Sequence, residues 1–162
     1  MTFAVERPSG TKAEIYRELV LQARGLFEGE RDPIANAANV ASLIFNGLDD
    51  LNWAGFYFLR EGDLVLGPFQ GKPACVRIAM GKGVCGTAAA SRETLVVPDV
   101  DVFPGHIACD VASRSEIVVP LVKGGRLLGV LDIDSPTRNR FTEEDAAGFE
   151  ALGALWLDAS DL

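Results

Sequence analysis

Two runs, 116–122 and 126–134, do most to limit what this chain can fold into. Each is apolar and of strand length, and Lys123-Gly124-Gly125 between them supplies a turn, which predicts an antiparallel hairpin. The second run breaks its own pattern. By the two-residue period of a strand, Leu128, Val130, Asp132 and Asp134 share one face, so two acids stand where an apolar series was running. Glu116 adds a third acid on the partner strand. Ionised carboxylates are rarely buried unpaired, so this face needs protons, a cation or water. Cross-strand neighbours on one face lie ~5–8 Å apart, too close for three acids to ionise cheaply.

The segment just before the hairpin, 99–114, reads as a long polar loop. It holds the only histidine, His106, and one of three cysteines, Cys109. Loops of this length inside compact domains are often functional. A thiol on such a loop beside acids points to chemistry rather than packing. Cys75, Cys85 and Cys109 are spaced ten and twenty-four residues apart, unlike the close pairs of zinc ribbons. A Cys₃His site would have only His106 and Cys109 locally paired, so no metal is expected.

His106 precedes Cys109 by three residues, which raises the possibility of a Cys–His hydrolase. The carboxylates count against it, because they would surround a developing oxyanion with negative charge. Redox chemistry fits the residues better. A thiolate can attack an electrophilic sulfur or oxygen and become sulfenic acid, which a second cysteine condenses to a disulfide. A protonated acid could then donate to an oxygen that leaves as water, and the others could hold a substrate ammonium.

The flanking sequence supplies a scaffold. Residues 1–10 read as a loose leader and 11–162 as one domain. Thr11-Lys12-Ala13-Glu14 is a capping-box pattern, and Ile15, Leu19, Gln22 and Leu26 continue at helical spacing to about residue 27. Asp32-Pro33 starts a second helix, with Ala35, Ala38, Leu43 and Phe45 read as its packing face. Strands are expected over 51–59, 64–69, 74–78 and 95–97. Trp53, Gly55 and Tyr57 share one face of the first of these. Gly81-Lys82-Gly83 lacks the spacing of a phosphate loop, so 84–91 reads as a plain helix. Thr142 and the acids behind it start a last helix with Phe149, Leu152 and Leu155 inward. Two helices, an antiparallel run with an inserted helix and loop, and a closing helix make an α+β fold.

The net charge of −8, with no basic run, weighs against nucleic acid or an anionic membrane as partner. No apolar stretch approaches the ~20 residues that span a bilayer, and the N-terminus lacks a signal-peptide core, so a cytoplasmic protein is expected. There, three cysteines are thiols or a redox site rather than a structural framework.

Five motifs together resemble one family: Gly67-Pro68-Phe69-Gln70-Gly71-Lys72-Pro73-Ala74-Cys75, Gly83-Val84-Cys85-Gly86-Thr87-Ala88, Phe103-Pro104-Gly105-His106-Ile107-Ala108-Cys109-Asp110, Ser115-Glu116-Ile117-Val118-Val119-Pro120 and Leu131-Asp132-Ile133-Asp134-Ser135. With Asn52-Trp53-Ala54-Gly55-Phe56-Tyr57, these resemble the free methionine-(R)-sulfoxide reductases, which are GAF-domain proteins. The resemblance implies a GAF-like fold: a central antiparallel sheet with helices on one face and a ligand pocket under the long loop on the other. It also implies that Cys109 attacks the sulfoxide sulfur and Cys75 resolves the sulfenic acid, with Cys85 the third family cysteine. Glu116, Asp132 and Asp134 would contact the substrate, and Trp53 and Tyr57 would surround its methyl group. No bound cofactor is implied, only an external dithiol, with thioredoxin as the expected partner. A homodimer is compatible with the sequence. The competing reading is a GAF module that binds a small ligand, or senses redox state, without turnover.

Overall fold

The computed structural model describes residues 6–162. Its elements in order are α1 (Lys12–Leu26), α2 (Pro33–Gly47), β1 (Trp53–Arg60), β2 (Asp63–Gly71), β3 (Arg77–Ala79), α3 (Gly83–Ser91), β4 (Leu95–Val97), a 3₁₀ turn (Val100–Val102), β5 (Ser115–Lys123), β6 (Arg126–Ser135) and α4 (Glu143–Ala159). Residues 1–5 of the expected leader lie outside the described residues. The rest of it is tied down, with Arg7 Nε donating to Asn46 O at 3.1 Å.

The six strands form one antiparallel sheet in the order β3-β2-β1-β6-β5-β4, with the hairpin strands β5 and β6 inside it. Alternation sorts side chains to two faces. Ala54, Phe56, Ile117, Val119, Leu131 and Ile133 pack against α1, α2 and α4 in the larger core. Trp53, Tyr57, Val118 and Val130 point the other way and meet α3 through Val84, Cys85, Ala88 and Ala89. The α+β fold is as the sequence predicts, with α3 lying on the pocket face.

Local signals place the helices. Thr11 and Glu14 form the capping box of α1, and Asp32 Oδ1 accepts from Ile34 N and Ala35 N at 2.9 and 2.8 Å ahead of Pro33. At α4, Asp145 Oδ2 accepts from Thr142 N at 2.7 Å. The same buried carboxylate accepts from Tyr16 Oη at 2.8 Å and from Lys12 Nζ at 2.5 Å, which ties α4 to α1. Burial opposes its charge, yet the Lys12, Tyr16 and Thr142 bonds hold its pKa below the ordinary carboxylate value. Gly148 lets the two helices touch: a Cβ there would stand 2.1 Å from the Tyr16 ring.

Three sequence expectations need correcting. The strand expected over 74–78 is only Arg77–Ala79, and Ala74, Cys75 and Val76 lie in the loop before it. Leu128 does not share a face with Val130. The β5–β6 register steps from Leu121↔Gly129 to Val122↔Leu127, so Leu128 is the extra residue of a bulge. Leu127 takes its place beside Val130, and Leu128 turns toward Phe58 and Trp156. In α2 the packing face is Ala37, Val40, Ala41, Leu43 and Ile44, while Ala38 is exposed and Ala35 and Phe45 are only half-buried. Among the described residues, no helix is long and apolar enough to cross a membrane.

Candidate active site

The acids of β5 and β6 converge because strand register leaves them no alternative. Glu116 is opposite Asp134, Val118 is opposite Asp132, and β1 sets Trp53 against Asp134 and Gly55 against Asp132. Gly55 has no side chain, so Asp132 meets no bulk from that neighbour. Glu116 and Asp132 are each 6% exposed, on the floor of a cavity. Trp53 and Tyr57 line one wall, α3 supplies Cys85, and His106, Ile107, Cys109 and Ser113 of the long loop form the roof. The free volume between these side chains is only about 30 Å³ in this disulfide-closed form, room for one or two waters.

Burial raises the pKa of all three floor acids. Glu116 is pushed well up by burial and then by the charges of Asp132 and Asp134, and Asp134 by burial and then Asp132. Asp132 is raised by burial to about 6, with bonds from Cys85 and Glu116 limiting the rise. Asp132, at about 6, is therefore largely ionised at neutral pH, beside two acids whose protonated forms burial favours. Asp132 Oδ1 is buried with no hydrogen-bond partner among the described residues, an acceptor left unsatisfied beside the cavity. An ammonium, with its three donors, suits such a floor.

Each cysteine has a distinct setting. Cys85 is buried and free, with Sγ donating to Glu116 Oε1 at 3.7 Å. Burial, then Asp132 and Glu116, push its thiol pKa well up, so it remains a neutral donor to the acids. The thiol in direct contact with an acid is thus Cys85. Cys75 and Cys109 form a disulfide with Cα atoms 5.5 Å apart, and Cys109 lines the cavity at its rim. Cys85 Sγ and one oxygen each of Glu116 and Asp132 lie within 4.8 Å of one another, a spacing a divalent ion could also occupy. His106 Nε2 is 3.9 Å from Glu116 Oε2, beyond hydrogen-bond length, and burial lowers its pKa against the pull of Asp101, leaving it neutral.

The aromatic wall also holds the rim in place. Tyr57 Oη donates to Cys75 O at 2.9 Å, and Trp53 Nε1 donates to Lys72 O at 3.2 Å. Trp53 stacks on Phe69 with ring centroids 5.3 Å apart. Burial, and then the nearby Asp132, push the Tyr57 pKa far up, so it stays a neutral donor.

The GAF-domain family model matches residues 13–155. A free methionine-R-sulfoxide reductase of Escherichia coli is 53% identical over 88% of this chain and 87% of its own length. The crystal structure of a Neisseria meningitidis free methionine-R-sulfoxide reductase in complex with its substrate superposes with a TM-score of 0.92, at 44% identity over 96% of this chain and 94% of that one. A Burkholderia vietnamiensis structure described as a candidate GAF sensor reaches a TM-score of 0.90 at 61% identity, over 93% and 96% of the two chains. This chain belongs to the free methionine-R-sulfoxide reductase family.

All eight residues that the sequence nominates for the reductase site lie at this one place: seven line the cavity and Cys75 completes its rim through the disulfide. Sequence reading missed the residues that tie the reductase-family roof to the sheet. Asn52 Nδ2 donates to Asp110 Oδ2 at 3.1 Å and to Ser113 Oγ at 3.0 Å, anchoring the loop on both sides of its last turn. Asp110 Oδ1 also accepts from Ala112 N at 2.9 Å. The one signal for this tie was that Asn52 and Asp110 each adjoin a nominated residue, Trp53 and Cys109.

Proposed function

We propose that this chain reduces free methionine-R-sulfoxide to methionine, as the names of its Escherichia coli and Neisseria meningitidis relatives state of them. One observation carries the reading. A disulfide closes the rim of a cavity whose floor is three carboxyls, Glu116 and Asp132 buried and Asp134 half-buried, with an unfilled acceptor on Asp132. The acids receive the substrate ammonium, and Trp53 and Tyr57 offer an apolar wall to the methyl sulfoxide end. The Cys109 thiolate attacks the sulfoxide sulfur, and oxygen passes to Cys109 as sulfenic acid while methionine departs. Cys75 attacks the Cys109 sulfur, water leaves, and the disulfide forms. The balance is one sulfoxide and two thiols giving one thioether, one disulfide and one water. An external dithiol, with thioredoxin the candidate, restores the thiols in a reducing compartment such as the cytoplasm.

The likeness to the Burkholderia protein keeps a second reading open, a GAF module that binds its ligand without turnover. A single assay separates the two. Turnover with dithiothreitol is measured on free methionine sulfoxide and on the same residue capped by N-acetylation and C-amidation. Loss of a charged hydrogen bond worth ~1.5–3 kcal/mol predicts a kcat/KM on the capped compound lower by about 10- to 150-fold. No turnover of either compound supports the sensor, and equal values for both refute the ammonium floor.

A further inference from the structure

Few large apolar side chains stand in solvent among the described residues, and several of them surround the disulfide. Val76, 66% exposed, follows Cys75, while Ile107 and Val111, 40% and 81% exposed, flank Cys109 two residues to either side. Scattered exposed apolar residues are ordinary, but a cluster around a reactive group marks a contact surface. Charge is sorted in the same region. The chain is −8 overall, yet 64–92 contains no acid and four cations. All four are exposed, and three of them, Lys72, Arg77 and Lys82, lie on the segment that carries Cys75, with Lys72 Nζ 4.0 Å from Asp110 beside Cys109. Val76, Arg77 and Val111 do not line the cavity, so the substrate does not account for them.

We propose that this apolar and cationic collar is the docking surface for a protein dithiol that reopens the Cys75–Cys109 bond. The proposal rests on the reductase reading of the site. A protein thiolate can attack a disulfide sulfur only when the two surfaces touch around it, so the collar must be contacted by any such partner. The partner it fits carries apolar atoms and carboxylates around its own thiol. Net negative charge disfavours an acidic partner elsewhere on the molecule, and the collar's cations favour the one productive orientation. In the exchange, the partner's thiolate attacks one sulfur of the pair. The chain's S–S bond breaks, a mixed disulfide forms, and the released cysteine takes up a proton. The partner's second thiol then attacks the mixed disulfide, leaving the partner oxidised and both chain thiols reduced. Two electrons and two protons have moved to the chain.

The test follows opening of the disulfide in the oxidised full-length chain with no sulfoxide present. Thioredoxin is the protein dithiol probe and dithiothreitol the small one. The variants are Val76→Asp with Val111→Asp, Arg77→Glu, and Leu21→Asp as an exposed apolar control on α1. Expected is a fall of about tenfold or more in the rate with thioredoxin for the collar variants, equivalent to ~1.4 kcal/mol. Their rates with dithiothreitol, and both rates of Leu21→Asp, stay within about twofold of the parent, since ordinary surface changes are small. Unchanged thioredoxin rates in the collar variants, equal losses with both dithiols, or no reduction of the parent by thioredoxin would each overturn the proposal. Failure of the parent to turn over methionine sulfoxide with dithiothreitol is a separate result, and it overturns the reductase reading instead.

Discussion

Replacing Asp132 by asparagine should make the protein more stable and less active, with the gain dependent on pH. Asp132 is 6% exposed, and burial lifts its pKa from the ordinary 3.8 to about 6. A folded-state pKa above the unfolded one means the native state binds the proton more tightly. The favourable contribution is therefore complete below about pH 4 and is lost as pH rises through about 6. At ~1.4 kcal/mol per pKa unit, the ionised group at pH 8 costs the fold about 3 kcal/mol, which a neutral amide of the same shape avoids. For a chain of this length each kcal/mol moves Tm by about 2–4 °C, so Asp132→Asn should melt roughly 6–12 °C higher at pH 8. Near pH 4 the two proteins should melt together. The assay is thermal unfolding of the substrate-free, disulfide-closed form from pH 4 to 8, followed by circular dichroism. A variant no more stable than the parent at pH 8, or a gap that does not narrow toward pH 4, refutes the reasoning. Its kcat/KM on the free amino acid should fall by about tenfold or more, the usual cost of removing a charged hydrogen bond.

Cys109→Ser should abolish even a single turnover of reduced enzyme, checked by methionine released on rapid quench; a full single turnover overturns the assignment of the nucleophile. Cys75→Ser should release about one methionine per chain and then stop, leaving a sulfenic acid on Cys109 that a dimedone-type probe captures. Asp145→Ala should destabilise by roughly 1–3 kcal/mol in urea unfolding, because it leaves the buried Tyr16 hydroxyl without its acceptor and uncaps α4. In the parent, the contribution of Asp145 is present above about pH 4 and is lost as acid protonates a carboxylate whose folded pKa is held low.

Features set by near neighbours were legible in the sequence. Thr11 with Glu14, Asp32 with Pro33, and Thr142 each cap within one turn, so a few residues suffice to specify them. Alternation placed Trp53 with Tyr57 and Asp132 with Asp134, since a regular strand has only two faces. It failed at Leu128 because a bulge resets parity, and nothing in Arg126-Leu127-Leu128-Gly129 marks which residue is extra. It failed in α2 because a helix with small apolar residues on several sides does not declare which side is covered. The Asn52 tie to Asp110 and Ser113 joins residues 58 and 61 positions apart, and only the folded sheet brings them together. The contact between Cys85 and Glu116 was illegible for the same reason, since α3 must first pack on the pocket face before that thiol meets an acid.

The Cys75–Cys109 bond ties residues 34 positions apart, and that span matters to the unfolded chain as much as to the folded one. Closing a loop of this length removes conformational freedom from the denatured ensemble worth roughly 3–4 kcal/mol. A chain that makes and breaks this link in every cycle alternates between two resistances to unfolding. The spent form is the sturdier, and the ready form opens more often to proteases. Sulfoxide load and reductant supply thereby set the lifetime of the protein as well as its rate of turnover.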